Sequence, residues 1–182
     1  MITDRSFRGQ ILTLACPLVG NCGINEYDVE SAFPHVEGLL VKEYSRRFSN
    51  WRAKDSLGSY LERHGILGVQ EIDTRSLILH LRRSGTMMGA LSTEEKDPRV
   101  LQEKLAAHLK STVRDLVTEV STGAIYEWDT GLEEPLYSLQ IEKENYRSYH
   151  IVVYDFGVKF NMLRHLKARG CRVTVVPHLT SA

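Results

Sequence analysis

Cysteines are the residues of this sequence with the clearest capacity for covalent catalysis. The chain has three of them, Cys16, Cys22 and Cys171. Cys22 lies among glycines in the stretch GNCGI, from Gly20 to Ile24. A nucleophile elbow has the pattern G-x-C-x-G in a turn between a strand and a helix. Here the second glycine is misplaced and no helical pattern follows, so we interpret Cys22 as a small loop residue and favour free thiols over a Cys16–Cys22 disulfide.

Two further motifs have a chemical and a structural interpretation. Asp73, Thr74 and Arg75, in EIDTRSL, are either an active-site trio or the N-cap and first turn of a helix, and we favour the cap. The triplet from Asp155 to Gly157, DFG, has the same sequence as the metal-binding triplet of protein kinases, but the other kinase motifs are missing. The following GVKFNM also lacks the G-x-G-x-x-G pattern of dinucleotide sites, so Gly157 is interpreted as a strand-to-helix turn.

Composition excludes several classes of function. Lys and Arg total 23 and Asp and Glu total 23, so the formal net charge is zero and the electrostatic basis for nucleic-acid binding is missing. The basic pairs at 46–47 and 82–83 are interpreted as solvated faces. The seven histidines show no metal-binding spacing, which predicts no metal site. The longest weakly polar run, Ile11 to Ile24, is too short to span a bilayer and contains Pro17, so we predict a cytoplasmic protein.

Hydrophobic patterns and caps predict a mixed α/β domain from about residue 1 to residue 145. Strands are predicted at 10–15, 36–44 and 66–72, with a short one at 87–92 and an extended hairpin over 117–130. Helices are predicted from Asp55 or Ser56 to Gly65, from Asp73 or Thr74 to Gly85, and from Asp97-Pro98 onwards with a core-facing stripe at Leu101, Leu105 and Leu109. The polar stretch 142–148 is predicted to be a linker.

The last residues, 149–182, are predicted to form a strand, a helix and a second strand. IVVY is apolar without alternation, which is typical of a parallel strand covered on both faces. The helix has an apolar stripe of Val158, Met162, Leu163 and Leu166. A β-α-β unit of this size cannot bury enough apolar surface to offset the entropy of ordering it. We therefore expect it to be the beginning of a larger sheet.

Three long stretches of the sequence carry a family resemblance. They are ITDRSFRGQILTLACPLVGNCGIN, SLGSYLERHGILGVQEIDTRSLILHLRRSG and VVYDFGVKFNMLRHLKARGCRVTVVP. In this order they closely resemble the small, glutamine-hydrolysing subunits of carbamoyl-phosphate synthetases, over nearly the whole chain except about residues 97–145. The resemblance implies a family-specific β/β/α-type amino-terminal domain at 1–145. It also implies that 149–182 is the first β-α-β unit of a class I glutamine amidotransferase domain, which is flavodoxin-like.

The resemblance also implies a function and a partner. In this family a cysteine, a histidine and a glutamate release ammonia from glutamine, and a tunnel leads the ammonia to a large subunit. That subunit uses ATP and a metal ion to make carbamoyl phosphate for pyrimidine and arginine biosynthesis. Family members have further strands ahead of ITDRS, and their catalytic residues lie beyond the position of Ala182. We therefore expect this chain to be cut at both ends, to hold no catalytic residue or cofactor, and to be inactive alone.

One family site residue has a counterpart here. The family serine of a T-D-P-S motif contacts glutamine, and this chain has TDRS, from Thr3 to Ser6. Ser6 is therefore the predicted glutamine contact in the intact protein, although Arg5 replaces the proline that would stiffen the turn. The structural alternative is a turn serine that bonds to its own backbone.

Two other functions stay open at this point. The chain could be a non-catalytic module that docks onto the large subunit in a heterodimer. The hypothesis of a receiver-like or flavodoxin-like domain depends on residues 149–182 alone, and the sequence supplies no acidic cluster or flavin loop for it.

Overall fold

A computed structural model of the chain describes residues 1–111, 114–132 and 148–181 and shows a mixed α/β fold, which confirms the predicted class. The chain divides into two compact units. The first unit comprises Met1–Arg8, Tyr27–His35 and Asp115–Ala182, and the second comprises Gly9–Glu26 and Val36–Arg114. In the described ranges, no helix has the length and apolar character needed to cross a membrane.

The second unit is built on a sheet of three short parallel strands, β1 (Ile11–Thr13), β2 (Gly38–Leu40) and β3 (Leu67–Val69). The strands lie in the order β1-β2-β3, so β2 is central, and all three of its residues are buried. An apolar run of this kind suits a strand covered on both faces. The helices of this unit are α1 (Leu57–Arg63), α2 (Thr74–Ser84) and α3 (Pro98–Ser111).

The helices α1 and α2 begin at side-chain caps. Ser59 N donates to Ser56 Oγ at 3.1 Å, and Ser76 N donates to Asp73 Oδ1 at 3.0 Å. These bonds satisfy amide groups that have no partner within the helix. Gly85, with φ +82°, ends α2. The interpretation of Asp73 as a cap is confirmed, and Ser56 rather than Asp55 caps α1.

Two predicted elements differ from the structure. Residues 87–92 form no strand, because Leu91 packs over Gly38 of β2 and the segment crosses the sheet instead of pairing with it. Residues 117–130 are not a hairpin. They contain the end of α4 (Leu116–Val120) and the strand β4 (Tyr126–Trp128), because the Asp115 carboxylate accepts hydrogen bonds from two amides and starts a helix among β-branched residues. The predicted linker lies outside the described residues apart from Ser148, as does the Leu109 side chain.

The first unit contains the predicted strand, helix and strand as β5 (His150–Asp155), α5 (Phe160–Ala168) and β6 (Arg172–Pro177). Strands β5 and β6 are parallel and in register from His150 opposite Arg172 to Asp155 opposite Pro177. Strand β4 pairs antiparallel with β6, which gives the sheet order β4-β6-β5. The buried core between α5 and the sheet consists of Val158, Leu163, Val173 and Val175.

Burial along β5 alternates, which corrects the prediction of a strand covered on both faces. Val153 packs against the core beneath α5. On the other face Val152 is 50% exposed and Tyr154 is 38% exposed. Within the described residues α5 covers only one face of this sheet, and that is why an apolar strand shows the burial of a half-covered one.

The turn from β5 to α5 depends on Gly157. Its φ is +96°, in the region that side chains disfavour. A Cβ at this position would lie 3.1 Å from Val120 Cγ2 and 3.3 Å from Arg5 Cβ. The predicted strand-to-helix turn at Gly157 is therefore confirmed, and glycine is required there by backbone angle and by close packing.

We expect Gly157→Ala to lower the free energy of unfolding of the first unit by about 1–3 kcal/mol, because the backbone must be strained and its neighbours displaced. The chain has two tryptophans, Trp51 in the second unit and Trp128 in the first. When Trp51 is replaced by Phe, the fluorescence of Trp128 during urea unfolding reports on the first unit alone. Gly123→Ala is the control, since nothing lies within 4 Å of a Cβ there. Equal losses for the two variants would contradict the explanation.

Candidate functional site

The most enclosed charged group in the described residues is the carboxylate of Asp155, at the end of β5, whose residue is 0% exposed. Arg5 Nη1 donates to Oδ2 at 2.8 Å, and Thr122 N donates to the same oxygen at 2.8 Å. The amides of Gly157 and Val158 donate to Oδ1 at 2.9 Å each. We call these five residues the Asp155 cluster.

The Asp155 cluster is a structural junction and not a reaction centre. Both carboxylate oxygens accept two hydrogen bonds, and the residue has no accessible surface, so no substrate proton can reach it. The bonds to Gly157 and Val158 form an Asx-type turn, which explains the Asp-x-Gly spacing of the DFG triplet. The bond to Arg5, 150 residues away along the chain, has no local sequence signal and was missed by the sequence analysis.

The TDRS segment forms a turn held by Asp4 and Arg5. Asp4 is buried, and its Oδ1 accepts a hydrogen bond from Ser6 N at 2.9 Å at the start of a short 3-10 helix, Arg5–Phe7. Its Oδ2 lies 2.7 Å from Lys159 Nζ. Burial by itself would raise the pKa of Asp4, but hydrogen bonds from Lys159 and Ser6 outweigh burial and lower that pKa. The bond to Asp4 likewise raises the pKa of Lys159.

Ser6 is exposed on this turn. Asp4, and not Ser6, accepts the backbone hydrogen bond that caps the turn. Arg5, which stands where the family pattern has proline, is fixed by its ion pair with Asp155 and by a bond from Nη1 to Val120 O at 3.0 Å. The turn is therefore ordered without proline. The role of Ser6 as a glutamine contact stays a prediction.

The amino end of α5 is closed by Glu30. Asn161 donates to its carboxylate from N at 3.0 Å and from Nδ2 at 2.8 Å, and Phe160 N donates to Glu30 O at 3.0 Å. Lys159, the N-cap residue, makes no side-chain capping bond, so Glu30 replaces the missing cap. These amides are consequently occupied by protein groups and are unsuited to binding an anionic ligand.

Ser31 and His35 form a pair that resembles a nucleophile and a base. His35 Nε2 lies 3.0 Å from Ser31 Oγ. The hydroxyl, however, is also 2.6 Å from Thr3 O and 2.7 Å from Phe33 O, and Ser31 is 1% exposed. A hydroxyl held between backbone carbonyls and shielded from solvent cannot attack a substrate, so the pair fixes the segment Tyr27–His35.

The cysteines occupy positions that do not suit a nucleophile. Cys16 and Cys22 are exposed residues between β1 and β2, and Cys171 is half-buried and directly precedes β6. In the described part of the chain, none of the three lies in a strand-to-helix turn. Among the same residues, no three His, Cys, Asp or Glu side chains are grouped so that they could hold a metal ion.

A cleft of about 300 Å³ lies in the second unit between α1 and the sheet. Its lining is mainly apolar and includes Val41, Leu61 and Ile66. The Tyr44 hydroxyl, which also borders the cleft, accepts a hydrogen bond from Gly58 N at 3.1 Å. The cleft can receive an apolar group. Glu62 is the one charged residue that the structure describes in its lining, so these residues bring together no pair of charged groups for acid–base chemistry.

We expect Asp155→Ala to lower the free energy of unfolding of the first unit by about 3 kcal/mol, because it leaves the Arg5 guanidinium and three amides without their acceptor. Urea unfolding in the Trp51→Phe background measures the loss. Asp129→Ala is the matched control, since Asp129 is 83% exposed and its ion pair with Lys167 is a surface pair. A loss no larger than that of the control would show that the cluster is dispensable.

We also expect the stability of the first unit to fall as the pH drops from 7 to 5. Burial lowers the pKa of His35 below its ordinary value of 6.5, and the charges of Arg5 and Arg8 lower it further, against the opposing effect of Asp4. As the pH falls, the unfolded chain therefore binds a proton on this residue before the folded chain does, and the free energy of unfolding falls with the falling pH through this range.

Urea unfolding between pH 5 and pH 7.5 measures this dependence. His35→Gln should flatten it, whereas the same substitution at the exposed His165 should leave it unchanged. Identical pH profiles for wild type and His35→Gln would contradict the assignment.

Comparison with known proteins places the chain in a family. Residues 1–91 match the family model described as carbamoyl-phosphate synthase small chain, CPSase domain. The carbamoyl phosphate synthase small chain of Syntrophotalea carbinolica is 44% identical over 182 residues, which is 100% of this chain and 48% of that relative.

Two other carbamoyl phosphate synthase small chains show the same extent of similarity. That of Aquifex aeolicus is 42% identical over 177 residues, covering 97% of this chain and 47% of the relative. That of Synechocystis sp. is 43% identical over 183 residues, covering 100% and 48%. The chain thus spans about half the length of the curated relatives it matches. Because the family model matches half of the chain, and as the sequence motifs predicted, the chain belongs to the carbamoyl-phosphate synthase small chain family.

Proposed function

We propose that this chain is part of the small chain of a glutamine-hydrolysing carbamoyl-phosphate synthase. The observation that carries the proposal is similarity at 42–44% identity along 97–100% of the chain, including the residues after 91 that the family model does not cover. The parallel β5-α5-β6 unit has the arrangement expected for the start of a class I glutamine amidotransferase domain. It therefore supports the proposal through the fold, in addition to the sequence identity.

In the intact protein, the small chain hydrolyses glutamine and supplies ammonia to a large chain. The large chain uses ATP and a metal ion to form carbamoyl phosphate, which serves pyrimidine and arginine biosynthesis in the cytoplasm. Ser6 contacts glutamine from an ordered turn, on which the residue is exposed. The nucleophile, the histidine and the glutamate come from the part of the intact small chain that these 182 residues do not include.

A second function rests on the same similarity to carbamoyl phosphate synthase small chains. In it, the chain is a non-catalytic module that docks onto the large chain. The two functions share a partner and differ in whether glutamine is hydrolysed.

Ammonia release from glutamine tests the proposal. The 182-residue chain should release none above buffer, because loss of a nucleophile typically lowers the rate by about 10⁶. A chimera that continues with the carboxyl-terminal half of the Syntrophotalea carbinolica small chain should release ammonia. Within that chimera, Ser6→Ala should raise KM for glutamine about 3- to 10-fold through loss of one hydrogen bond.

Ser49→Ala, a substitution of another exposed serine, is the control in the chimera and should leave KM unchanged. Turnover by the 182-residue chain alone would contradict the assignment of the catalytic groups to another part of the protein. A chimera that is folded but inactive on glutamine, with and without the large chain, would contradict the proposed function.

A further inference from the structure

A loop in the second unit, residues 45–54, exposes aromatic side chains among cations. Trp51 is 75% exposed and Phe48 is 39% exposed. Arg46 and Arg47 are also exposed, and neither forms an ion pair with any residue that the structure describes. The loop contains no acidic residue, and the segment 19–25 beside it contains no charged residue. Its cations are Arg46, Arg47, Arg52 and Lys54, of which Lys54 is paired with Glu26 at 2.9 Å.

Loop 45–54 is held in one conformation by the segment beside it. Ser45 N donates to Val19 O at 2.8 Å, and Ser49 N donates to Asn21 O at 2.9 Å. Lys54 N closes the loop with a bond to Ile24 O at 2.9 Å. The indole of Trp51 is therefore presented from an ordered backbone, and binding through it carries little additional cost in loop entropy.

Close packing behind the loop adds to this order. Gly23 has φ +64°, and a Cβ there would lie 2.6 Å from Ala53 Cβ and 3.1 Å from Phe48 Cδ2. The two segments thus approach closely on the inner side of the loop. This arrangement leaves Trp51 on the outer side, where three quarters of its surface stays in water.

The composition of this surface indicates the chemistry of its partner. Single exposed apolar residues are ordinary, but Trp, Phe and Arg are the residue types enriched at the centres of protein interfaces. The chain has no net charge, so Arg46 and Arg47 are a local excess of positive charge and not part of a basic protein. A partner surface that presents carboxylates around an apolar recess would satisfy both the arginines and the indole.

We propose that loop 45–54 is a docking surface for an acidic face of a partner protein. Trp51 is its apolar anchor, and Arg46 and Arg47 are its charge contacts. The identification of the partner as the large chain of the synthase rests on the proposed function. A nucleic acid is the less suitable ligand, since the adjoining segment 19–25 continues the surface with no further cation to follow a phosphate backbone.

Binding of the purified large chain from the same organism to the immobilised 182-residue chain tests this surface. Trp51→Ala should weaken binding about 30-fold, mainly through faster dissociation, as expected for an interface hot spot. The double variant Arg46→Glu/Arg47→Glu should slow association about tenfold at low salt and remove most of the salt dependence of the association rate.

Matched controls separate this surface from general effects. Phe33→Ala removes an aromatic residue that is 66% exposed in the first unit, and Arg82→Glu/Arg83→Glu makes the same charge change on the exposed face of α2. Both should bind within about twofold of wild type. Circular dichroism and urea unfolding should show that all variants remain folded.

Three outcomes would overturn the inference. If the wild-type chain binds the large chain and both loop variants bind it with the same affinity, the docking surface is wrong and the proposed function is unaffected. Absence of any binding between the wild-type chain and the large chain would contradict both. Binding of a single-stranded RNA oligonucleotide that is lost in the loop variants, with large-chain binding unchanged, would assign the loop to nucleic acid instead.

Discussion

The buried carboxylate of Asp155 is the interaction on which the first unit most depends. It stands at the end of β5 and accepts hydrogen bonds from a guanidinium and from three backbone amides. A carboxylate with no accessible surface is tolerated only when its charge and its lone pairs are satisfied, and here both conditions are met. In satisfying them, Asp155 joins the amino-terminal turn, the loop after α4 and the turn before α5.

Other carboxylates of the first unit also accept hydrogen bonds from backbone amides, at the ends of helices and in turns. Asp4 fixes the turn that presents Ser6, Glu30 closes the amino end of α5, and Asp115 starts α4. Each accepts hydrogen bonds from amides that have no partner in a helix, which is where a negative charge is also favoured by the helix dipole. Asp155 and these three carboxylates therefore serve the architecture of the unit. That is why their positions in the chain do not identify a reaction centre.

The two units differ in what they offer to other molecules. In the first unit, the polar groups with suggestive geometry, such as Ser31 with His35, are enclosed and bonded to the backbone. In the second unit, an ordered loop leaves its largest aromatic side chain and two arginines in solvent. Surface chemistry of that kind suits recognition of a protein.

Local sequence determined the elements whose signals lie within a few residues. Caps at Ser56 and Asp73, the proline at the start of α3 and the glycine between β5 and α5 were all predictable, because each acts on its own backbone angles or on amides a few positions away. The family was predictable because the motifs are long and the similarity to the relatives runs along nearly the whole chain. The partner of Arg5 was decided only by the tertiary structure, and so were the cap supplied by Glu30 and the open face of β5. These depend on segments that are distant in sequence, and a local pattern has no information about which of them will meet.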